Sequence, residues 1–377
     1  MLSPQYSPIV GGYEQAAQRL SLGLVSRGHR VTVISERRDR TWARKEIDGN
    51  LQVKRLPCLY RQRFHMLSSI ASFAFFLIMR GRNFHAWHVH QFGPHALVTI
   101  ILGRFLRRPV VIKLTSHGPE GLKAAISRIP LSSLAKLLLR SANAVAAPSR
   151  ETREEAIELG LPAQSIHLLG NGTDAGLFRP QSDCERNLLR TKLGISAAGV
   201  AIFVGRLSPE KNLTGLLRAW KRALPHLQPG WKLSLLGQGP MHDELRALVV
   251  SEKISGEVIL AGSRNNVAEW LGASDIFVLP SDYEGLSNAL LEAMASGLAV
   301  ISTRVSGTFE TLEETGAGVL VDPGREDQLA EAIVLLANTP DLRKQLGQRA
   351  RKIIESRFSA GYIAYKYEQL YFGLCRH

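Results

Sequence analysis

Ser281-Asp-Tyr-Glu-Gly-Leu-Ser-Asn-Ala-Leu-Leu-Glu292 is the stretch on which the reading of this chain turns. It follows the apolar run Ile276 to Leu279, short enough and well enough bounded by turn residues to be a buried strand. Beyond it Ala293-Met-Ala-Ser-Gly297 leads into a second apolar run, Leu298 to Ser302. The stretch between is expected to form a helix, with Glu284 at its start and Glu292 about two turns further on. On a helix these positions lie about 80° apart, so both carboxylates reach one side. Gly285, Leu286 and Ser287 would then offer unpaired helix N-terminal amides to an anion. Two carboxylates beside an anion seat suit a ligand carrying hydroxyls at each end of a diphosphate.

Upstream, the apolar run Val200 to Val204 ends in Gly205-Arg-Leu-Ser-Pro-Glu-Lys-Asn212, followed by an amphipathic pattern. A strand followed by a helix puts Arg206 and Lys211 at the strand's carboxyl end, the ligand side of an open α/β sheet. Gly205 permits a tight turn there, and Arg and Lys together supply a planar fork and a mobile point charge for a diphosphate. Near the N-terminus Gly11-Gly12 precedes a helical pattern over 14–26, then Gly28-His29 and the strand run Val31 to Ile34.

These motifs resemble the large retaining glycosyltransferase family with the Glu-x7-Glu motif (family 4, group 1), whose members have the GT-B architecture. The resemblance implies two Rossmann-like α/β domains facing a central cleft. It covers residues 8–372 and is densest over 200–322. It implies that Glu284 meets the donor sugar and Glu292 holds the nucleotide ribose. Gly205, Arg206 and Lys211 would meet the leaving phosphates, and Gly11 and Gly12 would let backbone approach donor and acceptor. The family histidine near the reacting sugar aligns with Thr115, while His117 lies two residues later; either can occupy that volume. Asp275 is expected to orient the strand before the motif. Gly307 and Thr308 would line the nucleotide side, with Glu310 either a site residue or a helix-start acid. Asn265, Asn266 and Trp270 fall near the expected base pocket. The donor would be a UDP-, GDP- or similar nucleotide sugar, with no cofactor and no metal, and no Asp-x-Asp occurs.

The length of 377 residues suits two domains, and strand–helix alternation recurs on both sides of the turn-rich Asn171-Gly-Thr-Asp174. The expected division is 1–172 plus 356–377 as the acceptor-side domain and 173–355 as the nucleotide-sugar domain. The closing segment Phe358 to Leu374, rich in tyrosine, would return to the first domain as a packing surface. One departure is local: only Met1 and Leu2 stand where the first strand of the sheet belongs, so that strand is expected to be truncated.

Composition narrows the setting. Cys58, Cys184 and Cys375 share no metal or redox spacing and read as thiols in a reducing compartment. No basic-then-apolar leader opens the sequence, so a cytoplasmic location is expected. The net charge is +14, and all of it lies in one half: residues 1–172 hold 24 Lys/Arg against 10 Asp/Glu, residues 173–377 hold 23 of each. Without a nucleic-acid motif, an anionic membrane surface or an acidic polymer is the fitting partner. The strongest apolar run, Met66 to Met79, sits between Arg61, Arg63, Arg80 and Arg82 and is too short to span a bilayer. A buried helix is the plainer reading and an interfacial helix the alternative. His88 and His90 alternate in a strand and read as structural, since His-x-His lacks further ligands. The combined reading is sugar transfer to a glycan acceptor, specifically a lipid-linked oligosaccharide of surface-polysaccharide synthesis, by a peripheral membrane protein. The alternatives are a nucleotide-sugar 2-epimerase of the same architecture, against which the combination of Gly205–Lys211 with Glu284–Glu292 argues, and a sugar-nucleotide-binding protein whose active site has decayed.

Overall fold

A computed structural model describes residues 1–9, 11–59, 64–115 and 118–375. His117, Arg61 and Arg63 lie outside the described residues. The chain divides into two compact units, Met1–Gly172 with Ala360–His377, and Thr173–Ser359, so the second unit runs slightly past 355.

In the first unit the strands are β1 (Val31–Glu36), β2 (Lys45–Asp48), β3 (Leu51–Leu56), β4 (Trp87–Val89), β5 (Val110–Lys113), β6 (Ala144–Ala147) and β7 (Ile166–Leu168). The helices are α1 (Gly12–Ser26), α2 (His65–Arg80), α3 (Pro94–Leu106), α4 (Leu122–Ser127), α5 (Ser132–Arg140) and α6 (Arg150–Glu158). β1 pairs with β3, and β4 to β7 pair in series, all in parallel; β2 joins β3 antiparallel at the edge. The hairpin of β2 and β3, and β7, are elements that the sequence reading passed over.

The strand thought to be truncated is replaced by a single residue with good register. Leu2 bridges Ile34 of β1 and Val89 of β4, both in parallel. Leu2 N donates to His88 O at 2.7 Å, His90 N to Leu2 O at 2.9 Å and Ser3 N to Ile34 O at 3.0 Å. The amides that a gap would have orphaned are therefore paired, and the seven strands form one surface through Met1–Ser3. The terminal helix Ala360–Cys375 packs on α1. Its stripe divides: Ile363, Ala364 and Tyr367 are buried, while Tyr362, Tyr365 and Phe372 face solvent.

The second unit contains β8 (Gly199–Val204), β9 (Trp231–Leu236), β10 (Val258–Gly262), β11 (Ile276–Leu279), β12 (Ala299–Thr303) and β13 (Gly318–Val321). Its helices are α7 (Asp183–Leu193), α8 (Leu213–Ala223), α9 (His242–Ser251), α10 (Val267–Gly272), α11 (Asn288–Ala295), α12 (Glu326–Asn338) and α13 (Pro340–Ile353). The sheet is wholly parallel in the order β10-β9-β8-β11-β12-β13. Helices on both faces explain why β11 and β12 are buried at every residue. The order reverses between β8 and β11, a topological switch point of the doubly wound kind, where ligands meet the carboxyl ends of strands.

Candidate active site

The two motifs come together at that switch point. β8 delivers Gly205-Arg206, and a 3₁₀ turn at Pro209–Lys211 brings Lys211 back toward β11. Lys211 Nζ donates to Glu284 Oε1 in an ion pair with side chains 17% and 12% exposed. Ser281 Oγ donates to the same carboxylate oxygen at 3.3 Å, and Asp282 N donates to Glu210 O at 2.9 Å, tying the two loops at backbone level. Arg206, in the same loop as Lys211, is exposed. The edge of β12 is joined to it as well: Thr303 Oγ1 donates to Ser281 O and Ser302 Oγ to Leu279 O at 3.1 Å.

Glu284 does not begin the helix. Ser287 caps α11, its hydroxyl accepting from Leu290 N at 3.3 Å, and α11 starts at Asn288. Gly285, Leu286 and Ser287 therefore belong to the turn and the cap, and the helix's own first-turn amides are those of Asn288, Ala289 and Leu290. The turn sets Glu284 beside Lys211, which helix periodicity had no means of showing. Glu292 sits inside α11 and is 4% exposed.

Close backbone approach shapes the surrounding loops. Gly307 has φ 75°, and a Cβ there would lie 2.2 Å from Gly285 O, so the loop after β12 seats on the motif turn only with glycine. At Gly237, with φ 152°, a Cβ would lie 1.8 Å from Gly205 O; this glycine after β9 was missed, although Gly237-Gln-Gly239 behind an apolar run is a usable signal. Thr308 does not line an open side: it is fully buried, and its hydroxyl donates to Thr303 O at 2.7 Å. Glu310 lies in the π-helical turn Phe309–Glu313. Asp275 accepts from Val200 N at 2.7 Å and from Arg190 Nη2 at 2.5 Å, anchoring the first residues of β8 to α7. Asn266 Nδ2 is engaged by Glu269 Oε2 at 2.8 Å, Asn265 is exposed, and Trp270 is buried.

In the first unit, Gly11 caps α1, with Gly12 its first residue; a Cβ at Gly11 would meet Glu14 Oε2 at 2.3 Å. His88 and His90 are buried with rings stacked 5.5 Å apart, and His88 Nδ1 lies 2.6 Å from Tyr371 OH. Burial holds both imidazoles neutral, well below the usual histidine range. Thr115 follows β5 and is half-buried. Lys113, the last residue of β5, went unread. It is 2% exposed, donates to Asn171 Oδ1 at 2.7 Å, and burial lowers its pKa to about 7. A lysine ending the apolar run Val110-Val-Ile112 was the signal.

A second unread cluster lies at the carboxyl end of β1. Glu36, Cys58 and His65 bring potential ligand atoms within 4.8 Å of one another. Glu36 already accepts from Ser69 Oγ at 2.6 Å and Arg38 Nε at 3.0 Å, with His65 Nε2 at 3.3 Å, and Ser69 Oγ also meets His95 Nε2 at 2.9 Å. Cys58 is thus part of a polar group that spacing in sequence did not reveal.

Two doubly wound units, the second carrying a cation–carboxylate pair at its switch point, are the GT-B architecture. The profile of the group 1 glycosyltransferases matches residues 185–353, and that of the glycosyl transferase 4-like domain matches 11–172. The chain belongs to this glycosyltransferase family, and its activity is glycosyl transfer. It is similar to N-acetyl-alpha-D-glucosaminyl L-malate synthase of Bacillus anthracis, 27% identical over 79% of this chain and 77% of that one. It is also similar to the lipopolysaccharide core biosynthesis glycosyltransferase LpsE of Rhizobium meliloti, 34% identical over 48% of this chain and 52% of the other. Among solved structures, Anabaena HepE in complex with UDP superposes with a TM-score of 0.77 at 21% identity, covering 98% of each chain.

Proposed function

We propose that this enzyme moves a sugar, with retention, from a nucleoside-diphosphate sugar to a lipid-linked glycan at an anionic membrane surface on the cytoplasmic side. The observation that carries the donor half is the Lys211–Glu284 pair at the switch point, with exposed Arg206 on the loop that brings Lys211 there. A diphosphate arriving there competes with Glu284 for the ammonium, and the released carboxylate is then available to a sugar hydroxyl. As the bond from the anomeric carbon to phosphate breaks, its electron pair stays on the departing diphosphate, where Arg206 and Lys211 stabilise the growing charge. The acceptor hydroxyl attacks the anomeric carbon from the leaving group's face and gives its proton to that phosphate oxygen. Glu292, inside α11, holds the ribose. The UDP complex of the similar Anabaena fold supports this donor class.

The acceptor half rests on the first unit. α2 is not a buried helix. Ser69, Phe73, Phe76 and Leu77 face the core, whereas Met66, Leu67, Phe75, Ile78 and Met79 face solvent. α3 packs between α2 and α5, and adds exposed Ile101 and Phe105, with Leu134 and Leu137 on α5. A patch of this kind marks an interaction surface, and its setting in the basic unit fits acidic lipid. No helix among the described residues is long and apolar enough to cross a membrane. The lipopolysaccharide function named for the Rhizobium relative points the same way.

The test is a panel of UDP- and GDP-sugars incubated with the enzyme, with and without polyprenyl-linked glycans in anionic vesicles, read by product mass. Nucleoside diphosphate release coupled to a mass gain on the lipid-linked glycan is the expected result. Transfer to soluble glycans at equal rates would remove the lipid-linked acceptor, and epimerised donor without transfer would remove the transferase assignment of the site.

A further inference from the structure

At the amino-terminal edge of the first unit's sheet lies a cavity of about 530 Å³. This edge is opposite the carboxyl ends of the strands, where His90 follows β4. Arg104 and Arg107 reach it from the end of α3, Arg108 from the turn into β5, and His85 from the turn before β4. Leu374 and Cys375 of the terminal helix complete its wall, and among the described residues no aspartate or glutamate lines it. The sequence explains the lack: residues 49–119 contain no acid at all. Arg108 is fixed by donating from Nη2 to Arg82 O at 2.7 Å, while its Nε is buried with no hydrogen-bond partner. Asn143 is fixed too, its Oδ1 accepting from Val110 N at 2.9 Å. Three arginines lining a cavity that no described carboxylate reaches make a site for a phosphate, which Arg grips through paired donors. Between Arg104 and Arg107 stands Phe105, at 81% the most exposed large apolar side chain described.

The geometry points to a phosphate-binding pocket for the head group of an anionic membrane lipid, with Phe105 entering the acyl layer beside it. This deepens the membrane part of the function proposed above and rests on it. The arginines supply recognition of phosphate, and the exposed faces of α2, α3 and α5 supply the apolar contact, so one surface meets both layers of a lipid leaflet. The pocket is separate from the donor-binding loops: it holds none of the residues assigned to sugar transfer.

The experiment compares the full chain with R104Q/R107Q and with R44Q/K45Q, an exposed pair of equal charge elsewhere in the first unit. Binding is measured by sedimentation with phosphatidylglycerol vesicles, with phosphatidylcholine vesicles, and by calorimetry with dissolved sn-glycerol 1-phosphate. The pocket variant is expected to lose about tenfold or more in affinity for phosphatidylglycerol. The control pair should lose less than about threefold. Equal losses in the two variants would reduce the effect to a diffuse basic field and overturn the pocket while leaving the membrane reading intact. Parent protein that ignores phosphatidylglycerol overturns the membrane reading and the pocket together. Strong binding of dissolved glycerol phosphate without any preference for phosphatidylglycerol vesicles would overturn the lipid assignment in favour of a soluble phosphate ligand.

Discussion

Lys211 and Glu284 neutralise one another at the edge where the donor phosphates are proposed to sit. Replacing Glu284 with Gln removes the carboxylate but leaves the ammonium free to meet phosphate. Turnover should fall by about 10²–10³-fold, while nucleoside diphosphate affinity holds or rises. Calorimetry beside initial rates checks this, and lost nucleotide affinity with turnover preserved would reverse the roles of the two glutamates. In R206A/K211A the opposite split is expected. Each charged contact is worth about 1.5–3 kcal/mol, so diphosphate affinity should drop at least about a hundredfold with nucleoside affinity unchanged. Lys113 is a residue-scale matter of stability. Its pKa is lowered to about 7 by burial, so between that value and the ordinary 10.5 the unfolded chain binds a proton that the folded chain does not. Stability should therefore rise with pH through that window, and below about pH 7 the desolvation cost is fully present. Denaturant unfolding of K113M should show a flatter profile from pH 7 to 10; an unchanged slope would mean that another group carries it.

At the scale of elements, α2 separates two kinds of apolar residue that look alike in sequence. Phe73 is buried, and Phe73→Ala should cost about 3–5 kcal/mol in unfolding free energy. Phe75 is 67% exposed, and Phe75, Ile78 and Met79 all lie on the outer face. Changing these three to Ser should alter stability by less than about 0.5 kcal/mol each and still weaken vesicle binding. A large loss of stability in that triple variant would show the face to be covered within the protein itself. The motif turn makes a similar point. Ser287 caps α11, so Glu284 is aimed by loop bonds from Ser281 and between Asp282 and Glu210, and not by helical phase.

For the whole molecule, charge is divided by unit and not by surface chemistry in general. The half holding 24 basic and 10 acidic residues is also the half that exposes α2, α3 and α5. Vesicle binding is therefore expected to be salt-sensitive, strong at low ionic strength and several-fold weaker near 0.5 M, where screening shortens to a few ångströms. Sedimentation across a salt series measures it, and binding indifferent to salt would assign the membrane contact to apolar burial alone.

Much of this was already written in the residue order. Apolar runs bounded by glycine and proline located β8, β11 and β12, because a parallel strand covered on both faces must be apolar throughout. Gly205, Arg206 and Lys211 after one apolar run, and Glu284 and Glu292 after another, stood out because each motif directly follows or enters a local element, and only the family resemblance joined them into one expected donor site. What sequence could not supply were relations between residues far apart along the chain. The union of Lys211 with Glu284, the pairing of Leu2 with two strands, and the gathering of Glu36, Cys58, His65 and His95 all depend on strand order. So does the outward face of α2, because the same apolar stripe serves a core or a lipid surface until its neighbours are in place. Local chemistry is carried by neighbours in the chain. The choice of which groups meet, and of which apolar faces stay uncovered, was made only when the sheets assembled.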